Sequence, residues 1–307
     1  MASSANNRDF MAQNAMDVSS PQCKNLLHVR HWLFYMRFLR KILTGWLLLG
    51  TLMAGFYLTA TPVAGQTEQC ATSLGQALTR EGEELSGALE VLSWNIQKAG
   101  NVGWADDLAN FGAGIDLAFI QEASVQAHIP QTIRENMYQA FAAGYTTDSM
   151  QTGVMTVSSS LPSVHCNLTS WEPWLGTPKA TSITEYPLQG RRDRLLTINL
   201  HAVNFTLGVV NFQAQFQALT DVLSSHQGPV ILAGDLNTWS DKRQAVVENF
   251  MREHGLGPVV FEPDLRTTTF GHALDHIYVR GMRAESARVI QVTSSDHNAL
   301  RVRLAFL

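Results

Sequence analysis

The sequence predicts a mixed α/β domain in which two packed β-sheets are flanked by helices, preceded by a separate N-terminal apolar helix. Short apolar runs rich in Val, Ile, Leu and Thr alternate with amphipathic stretches from about residue 89 onward. Runs such as 180–188 and 195–201 follow one another too closely for an intervening helix, so tight strand pairs must mix with helix-connected ones. Polar residues collect at the ends of these runs, where sites in α/β proteins usually open.

In chain order, strands are expected at 90–96, 116–121, 153–158, 180–188, 195–201, 229–233, 274–279, 287–292 and 299–306, most of them bounded by Gly, Pro or Asn. A helix is expected at 211–226, where Phe212, Phe216, Leu219 and Leu223 recur on one face. Another is expected at 241–254, with Ser240 as its N-cap and Gly255 as its stop. Residues 66–88, with Gly75, Gly82 and Gly87 among polar and acidic neighbours, read as a linker containing one short helix. The folded unit then spans 89–307, without an internal repeat.

Of the 307 residues, 45% are hydrophobic and 16% are charged, below the roughly 25% usual for globular domains. The deficit is local. Residues 42–67 form a run of 26 without a charge, long enough for a bilayer core that needs about 20 apolar residues. Arg30, Arg37, Arg40 and Lys41 precede it, which makes 1–41 a basic cytoplasmic segment and 42–65 an anchor that places the remainder outside. The same stretch also has the layout of a secretory signal beginning at Met36, with an apolar run and the small-residue site Val63-Ala64-Gly65. On that alternative the first 35 residues are an over-long start and the domain is secreted. Both readings put Cys70 and Cys166 where a disulfide can persist, although sequence does not say whether they meet. No Cys/His spacing suits a structural zinc.

Setting aside the six basic and two acidic residues of 1–65 leaves 16 basic against 24 acidic residues, a net charge of −8. A long-range basic field for polyanions is therefore absent. A divalent metal in the site would supply the local positive charge that the surface lacks.

Five polar clusters stand at strand ends: Trp94-Asn95, Gln121-Glu122, His201 with Asn204, Asp235-Leu-Asn237, and Asp275-His276 followed by Asp296-His297. Singly, each has a bland explanation. Asp235 and Asn237 suit a turn and helix cap, and Glu122 suits a solvated strand end. His276 suits a structural strand residue, Trp239 a packing role, and Arg191, Arg192 and Arg194 a solvated loop. Together they supply what phosphodiester hydrolysis needs: oxygen ligands for a hard cation, a base for water, a carboxylate to orient that base, and donors for the phosphoryl oxygens.

The ordered motifs SWNIQKAG (93–100), FIQEA (119–123), NLHAVNF (199–205), LAGDLNTWS (232–240), LDHIYVRG (274–281) and SSDHNAL (294–300) resemble the endonuclease/exonuclease/phosphatase, or DNase I-like, superfamily. GVMTVS (153–158) and HAVNF running into TLGV (206–209) look similar to its bacterial YafD-like branch. The resemblance implies a four-layer α/β sandwich and a Mg²⁺- or Mn²⁺-dependent phosphoesterase. It implies that Asn95, Glu122 and Asp296 serve the metal, that His297 is the base and Asp275 its orienting carboxylate, and that Asp235 and Asn237 orient the nucleophile and contact phosphoryl oxygens. His201 falls where family members place a histidine on the phosphate or leaving group. Lys98 and Asn204 are expected to bind substrate. Gln97 stands where some nucleases of the superfamily carry an acidic metal ligand.

The leading expectation is a nuclease-like phosphodiesterase. A phospholipid or sphingomyelin phosphodiesterase and an inositol-phosphate phosphatase are alternatives within the same chemistry. A membrane-tethered binding protein that has lost catalysis is the alternative of another class, since a fold does not by itself imply activity.

Overall fold

The computed structural model describes residues 63–65, 67–76 and 84–307, all of them within the unit 59–307. The cytoplasmic segment expected at 1–41, nearly all of the anchor or signal expected at 42–65, and the middle of the expected linker lie outside the described residues. Among the described residues no helix is long and apolar enough to cross a membrane.

The first sheet is built from β1 (Leu89–Asn95), β2 (Leu117–Ser124), β3 (Tyr138–Thr146) and β4 (Gln151–Ser158), which end up beside the last two strands of the chain. The second takes β5 (Val164–Trp171), β6 (Pro178–Pro187), β7 (Arg194–Leu200), β8 (Val230–Asp235), β9 (Gly257–Pro258) and β12 (Asp275–Arg280). Between β9 and β12 lies a hairpin of β10 (Thr268–Thr269) and β11 (His272–Ala273). After β12 the chain returns to the first sheet as β13 (Met282–Ile290) and β14 (Ala299–Phe306). The strand orders are β13-β14-β1-β2-β4-β3 and β5-β6-β7-β8-β12-β9. Each sheet contains one parallel pair, β1 with β2 and β7 with β8, among antiparallel neighbours.

Alternation along the strands divides the core. Val91, Phe119, Ile231, Ala233 and Ile277 pack between the sheets, whereas Leu92, Trp94, Ile120, Leu232 and Ile198 face helices outside them. The outer helices are α2 (Trp104–Gly112) and α3 (Ile129–Ile133) over the first sheet, and α4 (Val210–Gln217), α5 (Thr220–Ser225) and α6 (Asp241–Glu253) over the second. The single helix expected at 211–226 is thus two, although Phe212, Phe216, Leu219 and Leu223 all face the core as the periodicity requires. No Gly or Pro marks the break at Ala218-Leu219. The α6 expectation matches closely: Ser240 Oγ accepts the Arg243 amide, and Gly255 takes the left-handed conformation at φ 70°.

The stretch expected as a linker is tied down where it is described. Helix α1 (Thr67–Ser73) carries buried Cys70, which is disulfide-bonded to Cys166 on β5. The Gly75 amide donates to buried Glu185, Ala64 bridges to Thr169, and Leu85 bridges to Leu188.

Candidate active site

The strand order brings the polar clusters to one edge of the sandwich. Asn95 and Asp235 end β1 and β8, His201 follows β7, Asp275 begins β12, and His297 stands two residues before β14. Asp235 and Asp275 continue the inward-facing parity of Ala233 and Ile277, so at the sheet ends the apolar inter-sheet core gives way to carboxylates. Gly234 allows this close approach of β7 and β8, because a Cβ there would lie 1.9 Å from the Leu200 carbonyl oxygen.

His297 Nδ1 donates to Asp275 Oδ2 at 2.7 Å, which fixes the tautomer and leaves Nε2 facing Asp235 Oδ2 at 3.8 Å. The backbone around the ring is held as well. Trp94 Nε1 donates to the His297 carbonyl, while Ser295 Oγ accepts the His297 amide and donates to the Asn95 carbonyl. Burial alone would push His297 down, but Asp275, Asp235 and Asp296 outweigh it and raise its pKa to about 10. A cation among these carboxylates would add positive charge beside the ring and oppose that rise, favouring the neutral imidazole that can accept a proton. Burial raises Asp235 to about 6, a rise that His297 opposes and Asp275 reinforces.

Asn95 Nδ2 donates to Asp235 Oδ2 at 3.1 Å, and the Asn237 amide donates to Asp235 Oδ1. His201 Nε2 lies 3.4 Å from the same Asp235 Oδ2 and 2.8 Å from Lys179 Nζ. Burial first, then Lys179, holds the His201 pKa well below its ordinary value, so this imidazole is neutral and accepts from the lysine.

Backbone strain concentrates at the same edge. Gln97, Lys98 and Ala99, which follow Asn95, have φ values of 48°, 62° and 56°; Glu122 has 49° and Asn237 has 48°. Non-glycine residues in this region cost roughly 1–2 kcal/mol each and persist where a site over-determines them. A register shift between Ile120 and Ala123 of β2 re-aims Glu122, whose carboxylate pairs with Lys98 at 3.6 Å.

The donor chemistry fits a hard divalent cation. Glu122, Asp235 and exposed Asp296 offer carboxylate oxygens, Asn95 offers an amide oxygen, and Asp275 Oδ1 is buried without a hydrogen-bond partner. Ligand atoms of Asp235, Asp275 and His297 all lie within 4.8 Å of one another. Since His297 Nδ1 already serves Asp275, oxygen ligation suits Mg²⁺ or Mn²⁺ better than a nitrogen-rich zinc site.

Asn204 is used differently from the core cluster. Its Oδ1 accepts from Trp239 Nε1 and its amide donates to buried Glu172. His276 is structural: Nδ1 accepts from Arg266, and Nε2 is shared between Thr238 Oγ1 and the Ala273 carbonyl. Arg191 pairs with Asp193 at the surface, in keeping with a solvated loop, whereas Arg194 opens β7 and pairs with buried Glu185, so its role is structural and the solvated-loop expectation does not hold for it. Sequence reasoning missed Lys179, an isolated lysine at the start of a strand, and Arg243. The buried Arg243 guanidinium donates to the carbonyls of Val203, Asn204 and Asn237 and so supports both loops. Among Asp241, Lys242 and Gln244 at the start of an amphipathic helix, Arg243 carries no signal of that role.

Comparison with known proteins agrees with this geometry. The model of the Endonuclease/Exonuclease/phosphatase family matches residues 92–297. A UPF0294 protein of Vibrio vulnificus is 37% identical over 236 residues, covering 74% of this chain and 80% of the relative. The human Nocturnin catalytic domain superposes with a TM-score of 0.55 at 18% identity, covering 73% of this chain and 96% of that one. Mannosyl-6-phosphatase Bt3783 of Bacteroides thetaiotaomicron gives 0.52 at 16% identity, covering 71% and 100%. The chain belongs to the endonuclease/exonuclease/phosphatase family and is a hydrolase acting on phosphoric ester bonds.

Proposed function

We propose that this protein is a divalent-metal-dependent phosphodiesterase working outside the cytoplasm. The observation that carries the reading is the convergence on Asp235 Oδ2 of two ring nitrogens, Nε2 of His297, which Asp275 holds, and Nε2 of neutral His201. His297 Nε2 takes a proton from the attacking water, and Asp275 holds the ring and stabilises the imidazolium that forms. Asp235 and Asn237 orient the water and a phosphoryl oxygen. The Lys179 ammonium, hydrogen-bonded to His201, faces the phosphate and supplies a donor to the leaving oxygen as the P–O bond breaks. Asn95, Glu122 and Asp296 hold Mg²⁺ or Mn²⁺, which supplies charge stabilisation at the phosphoryl oxygens when bound. Lys98, beside Glu122, contributes further positive charge toward the substrate. The motifs GVMTVS and HAVNF favour the YafD-like branch, and nuclease-like and lipid substrates share this chemistry.

Location outside the cytoplasm is supported by the Cys70–Cys166 disulfide together with the basic collar before residue 42. Residues 42–65 serve as anchor, or as a signal that releases the domain. A periplasm-dependent reporter fused after Leu307 should be active.

Hydrolysis of bis(p-nitrophenyl) phosphate in Mg²⁺ or Mn²⁺ tests the chemistry. EDTA should abolish it, and Glu122→Gln should raise the metal concentration needed. Full turnover in EDTA would remove the metal mechanism. Failure to turn over any phosphodiester, with phosphomonoesters hydrolysed instead, would make the chain a phosphatase.

A further inference from the structure

Beside Asn237 the surface opens into a groove of about 610 Å³ that phosphoryl chemistry does not account for. Its walls are Trp174, Leu175, Phe205, Leu207, Trp239 and Phe270, and no charged side chain lines it. These residues come from four connections: the loop after β5, the loop after β7, the segment between β8 and α6, and the β10–β11 turn. Phe270, at the tip of that turn, is 84% exposed and sits at φ 52°, a conformation that side-chain-bearing residues rarely adopt. Its ring meets that of Trp239 edge-on at 6.3 Å. Folding gains little from a phenyl ring held in the open on a strained backbone. An exposed apolar patch of this kind marks a binding surface.

The groove is continuous with the reacting cluster. Asn237 both lines it and donates its amide to Asp235. Buried Arg243 fixes its far wall and the reacting edge together, donating to the carbonyls of Asn204 and Asn237. A diester whose phosphorus lies at Asp235 and His297 thus has one ester group within reach of an apolar wall.

We propose that this groove is a substrate subsite for the hydrocarbon chain of a lipid phosphodiester, an inference that rests on the phosphodiesterase reading above. A polynucleotide laid along the wall would bring a phosphate with each nucleotide and need cations to meet it. The groove offers none, and the chain past residue 65 carries 16 basic against 24 acidic residues. A hydrocarbon chain needs only apolar surface to displace water from, and six large apolar side chains supply it.

Three monomeric esters that release the same leaving group distinguish the occupants: methyl p-nitrophenyl phosphate, octyl p-nitrophenyl phosphate and thymidine 5′-(p-nitrophenyl phosphate). With Mg²⁺, kcat/KM for the octyl ester should exceed that for the methyl ester at least about tenfold, with the thymidine ester no better than methyl. Phe270→Ala and Leu207→Ser should each reduce the octyl-to-methyl ratio at least about threefold. A ratio near one, or a preference for the thymidine ester, would overturn the lipid subsite while leaving the phosphodiesterase standing. Should none of the esters be hydrolysed, the phosphodiesterase reading fails and the groove is judged by binding. Octyl phosphate should then perturb tryptophan fluorescence at least about tenfold more tightly than methyl phosphate, less so in Phe270→Ala; equal affinities overturn the subsite.

Discussion

Asp235 and Asp275 are direct cross-strand partners on β8 and β12, two buried carboxylates placed opposite one another. Like charges in that relation destabilise a sheet, and burial adds a desolvation cost. What reconciles them is His297, which bonds Asp275 through Nδ1 and turns Nε2 toward Asp235. The arrangement is costly for folding and suited to proton transfer.

If His297 is the base and Asp275 its positioning carboxylate, His297→Ala should lower turnover by about 10²-fold to 10⁴-fold, the range of general acid–base catalysis. Asp275→Asn should also be impaired. The double mutant should be little worse than His297→Ala, because an orienter without its base has nothing to orient. Steady-state kinetics on all three variants checks this; strictly additive losses would make the pair structural.

Lys179 Nζ lies 2.8 Å from His201 Nε2. If it meets charge developing on the phosphate or leaving oxygen, Lys179→Met should lower kcat by roughly 10²-fold, as loss of one such donor does elsewhere. Lys179→Arg should restore part of it. A loss below about threefold, measured at saturating metal, would leave Lys179 a mere neighbour of the histidine.

The Cys70–Cys166 bridge spans a sequence separation of 96 residues and ties α1 to β5. Closing a loop of about 100 residues is worth up to roughly 4.7 kcal/mol in the chain-entropy account, with 2–5 kcal/mol typical of native bridges. Reduction, or Cys70→Ser with Cys166→Ser, should therefore lower the urea midpoint by a matching amount. Equal midpoints with and without reductant would show that the buried face of α1 holds the segment unaided.

Much of this was legible because function and fold used different signals. Inter-sheet strands such as β8 announce themselves as short apolar runs, and Asp235-x-Asn237 stands out as the polar end of one, as Asp296-His297 does in the polar loop that leads into β14. The edge strands β3 and β5 were not anticipated, because YQAFAAGYT is made largely of small and aromatic residues and VHCNLTSW of polar ones, and each buries only a few side chains. Lys179 and Arg243 were missed for a related reason: each acts on a group distant in sequence, His201 or the carbonyls of two loops, and each stands among other polar residues that mask it. The groove walls were invisible since Phe205, Leu207 and Phe270 look like core residues until the fold leaves them outside.

Stability against pH offers a last check, with EDTA present so that bound metal does not intervene. Burial and the Arg266 guanidinium lower the His276 pKa to about 4, so the ring is neutral in the folded state. Unfolded, it titrates near 6.5, and as pH falls below that value the unfolded chain takes up the proton first. Stability from this group therefore drops between pH 6.5 and about 4, by at most on the order of 3 kcal/mol, and levels off below. Asp235, raised to about 6, contributes the opposite slope over part of that window, since its unfolded form ionises first as pH rises. The decisive quantity is thus the difference between wild type and His276→Asn, whose unfolding free energy should lose less on acidification from pH 6.5 to 4. Above pH 6.5, His297 should govern: its raised pKa gives stability that is full below 6.5 and lost as pH climbs through about 10. Identical acid slopes in wild type and His276→Asn would mean that Arg266 withdraws and lets His276 charge in place.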